Sequence, residues 1–87
     1  MAEVILPAAL GRLFPGLGRR EPAEGGDVAA LLADLDARFP GLRDRIADSS
    51  PAIRRHIAVF VDGERGGLDT EVGPRSRVEF LAAISGG

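Results

Sequence analysis

Residues Asp27–Gly41 read DVAALLADLDARFPG, and their pattern decides the fold class. Val28, Leu31, Leu32, Leu35 and Phe39 stand at i, i+3, i+4, i+7 and i+11, one apolar stripe at the helical period. Asp34, Asp36 and Arg38 occupy the other face. Asp27 precedes the stripe as an N-cap, its carboxylate placed to accept from the free amides of the first turn. Pro40-Gly41 ends the helix, since proline cannot continue the hydrogen-bond ladder. GLRDRIAD then adds a short second helical turn, with Leu42 and Ile46 on one side. A helix with one apolar face needs a matching apolar layer.

The flanking sequence supplies strands for that layer. Val4-Ile5-Leu6, stopped by Pro7, reads as a first strand. Residues 8–18 carry no single period, and Pro15-Gly16 marks a turn within them. LGRREPAEGG reads as a weak, polar edge strand. RHIAVFVDGE is the strongest strand signal: Ile57, Val59 and Val61 alternate with Ala58 and Phe60. Both of its faces are apolar, which predicts a central place in the sheet. Asp62-Gly63 is a tight-turn pair. RGGLDTEVGPRS is a connection with a brief strand or turn near Leu68–Val72. RVEFLAAI supplies a last strand, running from Arg77 to Leu81, with Val78, Phe80 and Ala82 on one face. No internal repeat or low-complexity linker interrupts the 87 residues, which form one domain.

Composition narrows the chemistry. Apolar residues make up 45% of the chain, and its only aromatics are four Phe, so Val, Ile, Leu and Ala build the core. The net charge of −2 gives no electrostatic footprint for nucleic acid or an anionic membrane. No apolar run approaches the roughly 20 residues that span a bilayer, and no secretory pattern opens the chain; a cytoplasmic protein is expected. There is no Cys, which excludes disulfides, thiolate metal sites and cysteine nucleophiles. His56 is the sole histidine and reads as a strand-end residue. All eleven basic residues are Arg, so Schiff-base chemistry and a phosphate-loop lysine are excluded. Arg19-Arg20 and Arg54-Arg55 read as solvated strand ends, with docking against an acidic partner surface as the alternative. Ser49-Ser50-Pro51 is a loop without an activated nucleophile. What remains is the closing stretch LAAISGG.

VILPAAL, GGDVAALLADLDARFPGLRDRI, VFVDGE, GLDTEV and RVEFLAAISGG together resemble the ubiquitin-like sulfur-carrier proteins. That family includes the small subunit of molybdopterin synthase, the thiamine-biosynthesis carrier and a carrier serving cysteine synthesis. The ARFPGLRDRI helix exit is similar to the molybdopterin and cysteine branches. The chain departs from the common pattern at Arg75-Ser76, where the family often has Gly-Asp, and at Ala82, where proline is frequent.

The resemblance implies an α+β, ubiquitin-like β-grasp domain: a mixed sheet of four to five strands packed on one main helix. Residues 82–87 would be a flexible Gly-Gly tail. It further implies a non-catalytic carrier, binding no cofactor itself. The Gly87 carboxylate would be adenylated by a ubiquitin-activating-like adenylyltransferase using ATP. A sulfurtransferase would then supply sulfur to form a thiocarboxylate. The acceptor would be a synthase such as the molybdopterin synthase large subunit, in molybdenum-cofactor, cysteine or related sulfur metabolism. Gly86, Ser85, Ile84, Ala83, Ala82, Leu81 and Phe60 would contact partners; read from the residues alone, Phe60 is core or, with its ring turned outward, a partner anchor. Two alternatives stand beside this reading: a protein modifier joined through Gly87 to target lysines, and a plain interaction module.

Overall fold

The computed structural model describes residues 1–82. Five strands form one mixed sheet: β1 (Ala2–Ile5), β2 (Arg20–Ala23), β3 (Ile57–Val61), β4 (Glu64–Gly66) and β5 (Arg77–Ala82). Their spatial order is β2-β1-β5-β3-β4. The first and last strands run parallel, side by side, and every other pairing is antiparallel. Two helices, α1 (Val28–Arg38) and α2 (Leu42–Ile46), cover one face. This is the expected α+β β-grasp arrangement. Among the described residues no helix is long and apolar enough to cross a membrane.

Helix α1 forms where its stripe and its cap agree. Asp27 Oδ1 accepts from the Ala30 N–H at 2.8 Å. The loop before β5 satisfies two more free amides: Val28 N–H donates to Thr70 C=O at 3.1 Å and Ala29 N–H to Leu68 C=O at 2.9 Å. Residues 68–72 therefore cap the helix instead of forming a ladder, with a single bridge between Asp27 and Glu71. At the exit, Asp36 Oδ1 takes the N–H groups of Gly41 (3.1 Å) and Arg43 (3.0 Å), turning the chain into α2. Leu42 and Ile46 then point into the core, both without solvent exposure.

Val28, Leu31, Leu32 and Leu35 meet the helix-facing side of the sheet, which is made by Val4, Val59, Val78 and Phe80. All eight are essentially fully buried. Each such side chain contributes about 1.5–3 kcal/mol of burial free energy. Phe39, the end of the stripe, packs only at the margin of this core.

Several details differ from the sequence reading. β4 is a strand that the residues Glu64-Arg65-Gly66 do not announce: three residues are too few to show a period, and pairing with β3 across a tight turn makes the strand. Asp62 (φ 50°) and Gly63 (φ 88°) both take left-handed conformations, the turn that suits the twist of a two-residue hairpin. β5 lies at the sheet centre beside β1, as the β-grasp arrangement implies, while β3 is interior but one place off the centre because β4 alone lies outside it. Residues 8–12 fold as a 3₁₀ turn over Ala8–Arg12. The weak β2 is indeed an edge strand, where Pro22 leaves no interior donor missing. β5 extends through Ala82, one residue past the expected end, because Ile57 offers Ala82 a partner.

The start of β5 is held by a carboxylate. Asp62 Oδ1 accepts from Arg77 N–H at 2.9 Å, and Oδ2 accepts from the Ser76 hydroxyl at 2.8 Å. Ser76 Oγ in turn accepts from Gly73 N–H at 2.9 Å. The Arg77 amide, and then the Ser76 hydroxyl, hold the Asp62 carboxyl below its ordinary value of 3.8. Ser76, a departure from the family pattern, is thus a buried joint of the loop.

Two measurements check this account. Leu35→Ala opens a cavity in the core and is expected to cost about 2–5 kcal/mol, read as a lower urea midpoint at unchanged slope. A carboxyl lower in the folded than in the unfolded chain stabilises the fold fully above its unfolded value, and that stabilisation is lost as pH falls through the folded value. Asp62→Asn is therefore expected to flatten the loss of stability between about pH 5 and pH 2, with urea melts at each pH as the readout.

Candidate functional site at the exit of the last strand

The strand that leads toward Gly86-Gly87 is anchored unequally along its length. Glu3, Val4 and Ile5 of β1 pair with Arg77, Val78 and Glu79, so β1 supports only the first half of β5. β3 continues alone, pairing Val59 with Phe80, Ala58 with Leu81 and Ile57 with Ala82. The end of β5 therefore leaves the sheet centre with a ladder on one side. Ala83, Ile84, Ser85, Gly86 and Gly87, named from the sequence as the reacting and gripping residues, lie outside the described residues.

The structure does place Phe60, Leu81 and Ala82. β3 sends Ile57, Val59 and Val61 to the helix side, so Ala58 and Phe60 face away from it. Phe60 is half-buried on this open face, outside the core. Leu81 shares the face, opposite Ala58, and is 42% exposed. Ile5 completes an apolar strip around Glu79, the residue it and Phe60 flank in register. Polar groups on the strip largely compensate one another. Arg77 Nε lies 3.6 Å from Glu79, Arg20 lies 3.7 Å from Glu3, and the Arg65 guanidinium sits 5.9 Å from the Phe60 ring centre. Phe60 and Leu81 are thus brought to one surface beside the strand exit, diagonal neighbours across β3 and β5.

Ala82 belongs to the opposite side of the sheet. Its partner Ile57 is part of the core, yet Ala82 is exposed because the helices do not reach over this end. Instead it borders a shallow groove with Leu10, Leu13, Ile57, Arg45 and His56. Leu13 was not marked by the sequence: the 3₁₀ turn that precedes it has too short a repeat to signal a face. His56 is exposed on the groove, ahead of β3.

Other candidates resolve into structural roles. The Asp48 carboxylate accepts from Ser50 N–H (2.9 Å), Ala52 N–H (3.1 Å) and the Ser50 hydroxyl. The Ser50 bonds, hydroxyl first, lower the Asp48 carboxyl from its ordinary 3.8, which makes it a weaker base. This cluster tightens a loop and leaves Ser50 without activation. What the described residues offer chemically is a rigid strand end between two apolar surfaces, with the sequence Ala83–Gly87 following it.

Known proteins are similar along the whole chain. The ThiS family profile matches residues 4–87. The sulfur carrier protein CysO of Mycobacterium tuberculosis is 34% identical over 90 residues, covering 97% of this chain and 96% of that protein. A chain of the Amycolatopsis orientalis BexX/CysO complex superposes with a TM-score of 0.87 at 28% identity, covering 100% of both chains. SAMP1 from Haloferax volcanii superposes at 0.72 with 25% identity, over 99% of this chain and 98% of that one. The family match reaches the final glycine, the relatives carry sulfur, and β1 and β5 lie side by side under α1; this chain belongs to the ThiS family of ubiquitin-like sulfur carriers.

Proposed function

We propose that this protein carries sulfur as a thiocarboxylate on Gly87 and has no catalytic activity of its own. The observation that carries the reading is the family match through Gly87, joined to a last strand clamped at the sheet centre and ending at Ala82. In the proposed sequence of steps, the Gly87 carboxylate attacks the α-phosphorus of ATP and pyrophosphate leaves. A sulfur nucleophile at the oxidation level of hydrosulfide then attacks the acyl carbon, and AMP departs with its bonding electrons. The thiocarboxylate left behind is a softer nucleophile than the oxygen acid. Partner enzymes supply both active sites, an adenylyltransferase of the ubiquitin-activating class and a sulfurtransferase, in the cytoplasm.

The names of the relatives narrow the destination. CysO relatives support the cysteine branch over the molybdopterin branch, and the BexX/CysO complex supports a carrier that works against a partner enzyme. Phe60 and Leu81 are proposed to meet the partner on the open sheet face. Ala82, Ala83, Ile84 and Ser85 are proposed to be gripped as extended chain. Gly86 suits a narrow channel beside ATP, because a residue without Cβ has the least width and the widest choice of φ and ψ.

A second reading, attachment of Gly87 to target lysines, draws support from the likeness to SAMP1, a small archaeal modifier protein by name.

Intact mass spectrometry tests the proposal. With the cognate adenylating enzyme, ATP and hydrosulfide, the chain is expected to gain about 16 Da, the exchange of S for O at the acyl carbon. Loss of Gly87 should abolish the gain. Gly86→Ala is expected to slow adenylation by at least about tenfold without changing the melting temperature. Gly87-linked adducts on other proteins in place of the gain would favour the modifier reading. Neither product would leave an interaction module.

A further inference from the structure

The surface on the helix side of Ala82 has a character that the carrier chemistry does not explain. From Ala82 to Gly87 is five residues, which span at most about 17 Å when fully extended. An enzyme that closes on the Gly87 carboxylate therefore lies close to the strand exit, within reach of the surfaces on either side of it. One side is the open sheet face of Phe60 and Leu81. The other is the groove of about 210 Å³ between the 3₁₀ turn, the end of α2 and the start of β3.

Leu10 and Ile57 form the groove's nearly buried floor, 7% exposed each, while Leu13 stands over it 48% exposed. With Met1 and Leu81, Leu13 is one of the large apolar side chains left in solvent among the described residues. The two ionisable side chains that line the groove, Arg45 and His56, are both basic. Arg54 lines an adjoining hollow with these two and with Asp44. Among the described residues, neither Arg45 nor Arg54 has a carboxylate within 4.0 Å, and Arg54 Nε donates to the Asp44 carbonyl at 2.6 Å. On the open sheet face, by contrast, Arg77 and Arg20 have carboxylate partners and Arg65 lies over Phe60. Among the described residues, the groove lining thus holds Arg45 and His56 and no carboxylate, in a chain whose net charge is −2.

We infer that this groove is a docking site for an acidic–apolar segment of the enzyme that activates Gly87. One apolar side chain of that segment sits between Leu10, Leu13 and Ile57, and an Asp or Glu beside it faces Arg45. The inference rests on the carrier reading and adds a second contact surface to it. A charge-complementary rim of this kind sets partner choice and encounter rate more than the chemical step. Discrimination among adenylating enzymes then follows from the groove, while the sheet face supplies apolar contact.

The test uses the full chain and the purified adenylating enzyme that charges it, with thiocarboxylate formation followed by intact mass. Arg45→Glu is expected to raise KM about tenfold with kcat within about twofold, and Arg45→Lys to stay near wild type. Leu13→Ser removes the apolar contact without touching charge and is expected to raise KM about fivefold. Both residues are exposed, so melting temperatures should hold, and a melt of each variant checks this. Unchanged KM for both Arg45→Glu and Leu13→Ser, in a chain that charges normally, overturns the groove and leaves the carrier reading standing. A response to Arg45→Glu alone reduces the effect to general steering and also overturns it. A wild-type chain that no adenylating enzyme charges overturns the carrier reading and the inference with it.

Discussion

The parallel pairing of β1 with β5 is the constraint on which the structure depends. It joins the two ends of the chain at the sheet centre, with Val4 opposite Val78 and both beneath α1. Closing this contact requires the intervening seventy-odd residues to be ordered around it, and loop-closure entropy makes such a contact costly until the core rewards it. The apolar stripe of α1 supplies that reward. The carrier end is consequently not an appendage to the fold; its base is the central strand.

That arrangement suits a protein whose side chains offer little reactivity. With no Cys or Lys and a single His, the chain has no ready nucleophile or acid–base pair. The clusters that might have suggested one, Asp48 with Ser50 and Asp62 with Ser76, hold turns in place. Both are carboxylates stabilised in the charged form by donors, the opposite of what a general base near neutrality needs. The described part of the last strand is clamped at the sheet centre as far as Ala82. Two apolar surfaces flank Ala82, the open sheet face of Phe60 and Leu81 and the groove lined by Arg45 and His56, and these are the surfaces proposed to meet a partner.

Local patterns were legible where one interaction range governed them. The Asp27 cap, the stripe from Val28 to Leu35, the helix exit at Pro40-Gly41 and the Asp62-Gly63 turn all act within a few residues, and each is found as read. β4 was not legible because a three-residue polar strand exists only through its register with β3. The Leu68–Val72 segment could be read as a strand or a turn; it is a turn, and its Leu68 and Thr70 carbonyls accept from the first turn of α1. Phe60 could be read either as core or as anchor, since both faces of β3 are apolar; only the sheet's one-sided helix cover tells them apart. Leu13 and the basic groove had no sequence signal, because their parts come from four separate segments.

The sequence by itself determined the fold class, the helix and its N-cap, the β3 strand with its Asp62-Gly63 turn, and the absence of cysteine and lysine chemistry. These follow from periodicity, turn propensity and the residue types present. Only the tertiary structure decided that Glu64–Gly66 pairs as a strand, and that Phe60 and Leu81 share an open face while Ala82 opens onto a groove lined by Arg45 and His56. Those outcomes depend on which strands pair and which face the helices cover, and pairing between distant segments leaves no local trace in either of them.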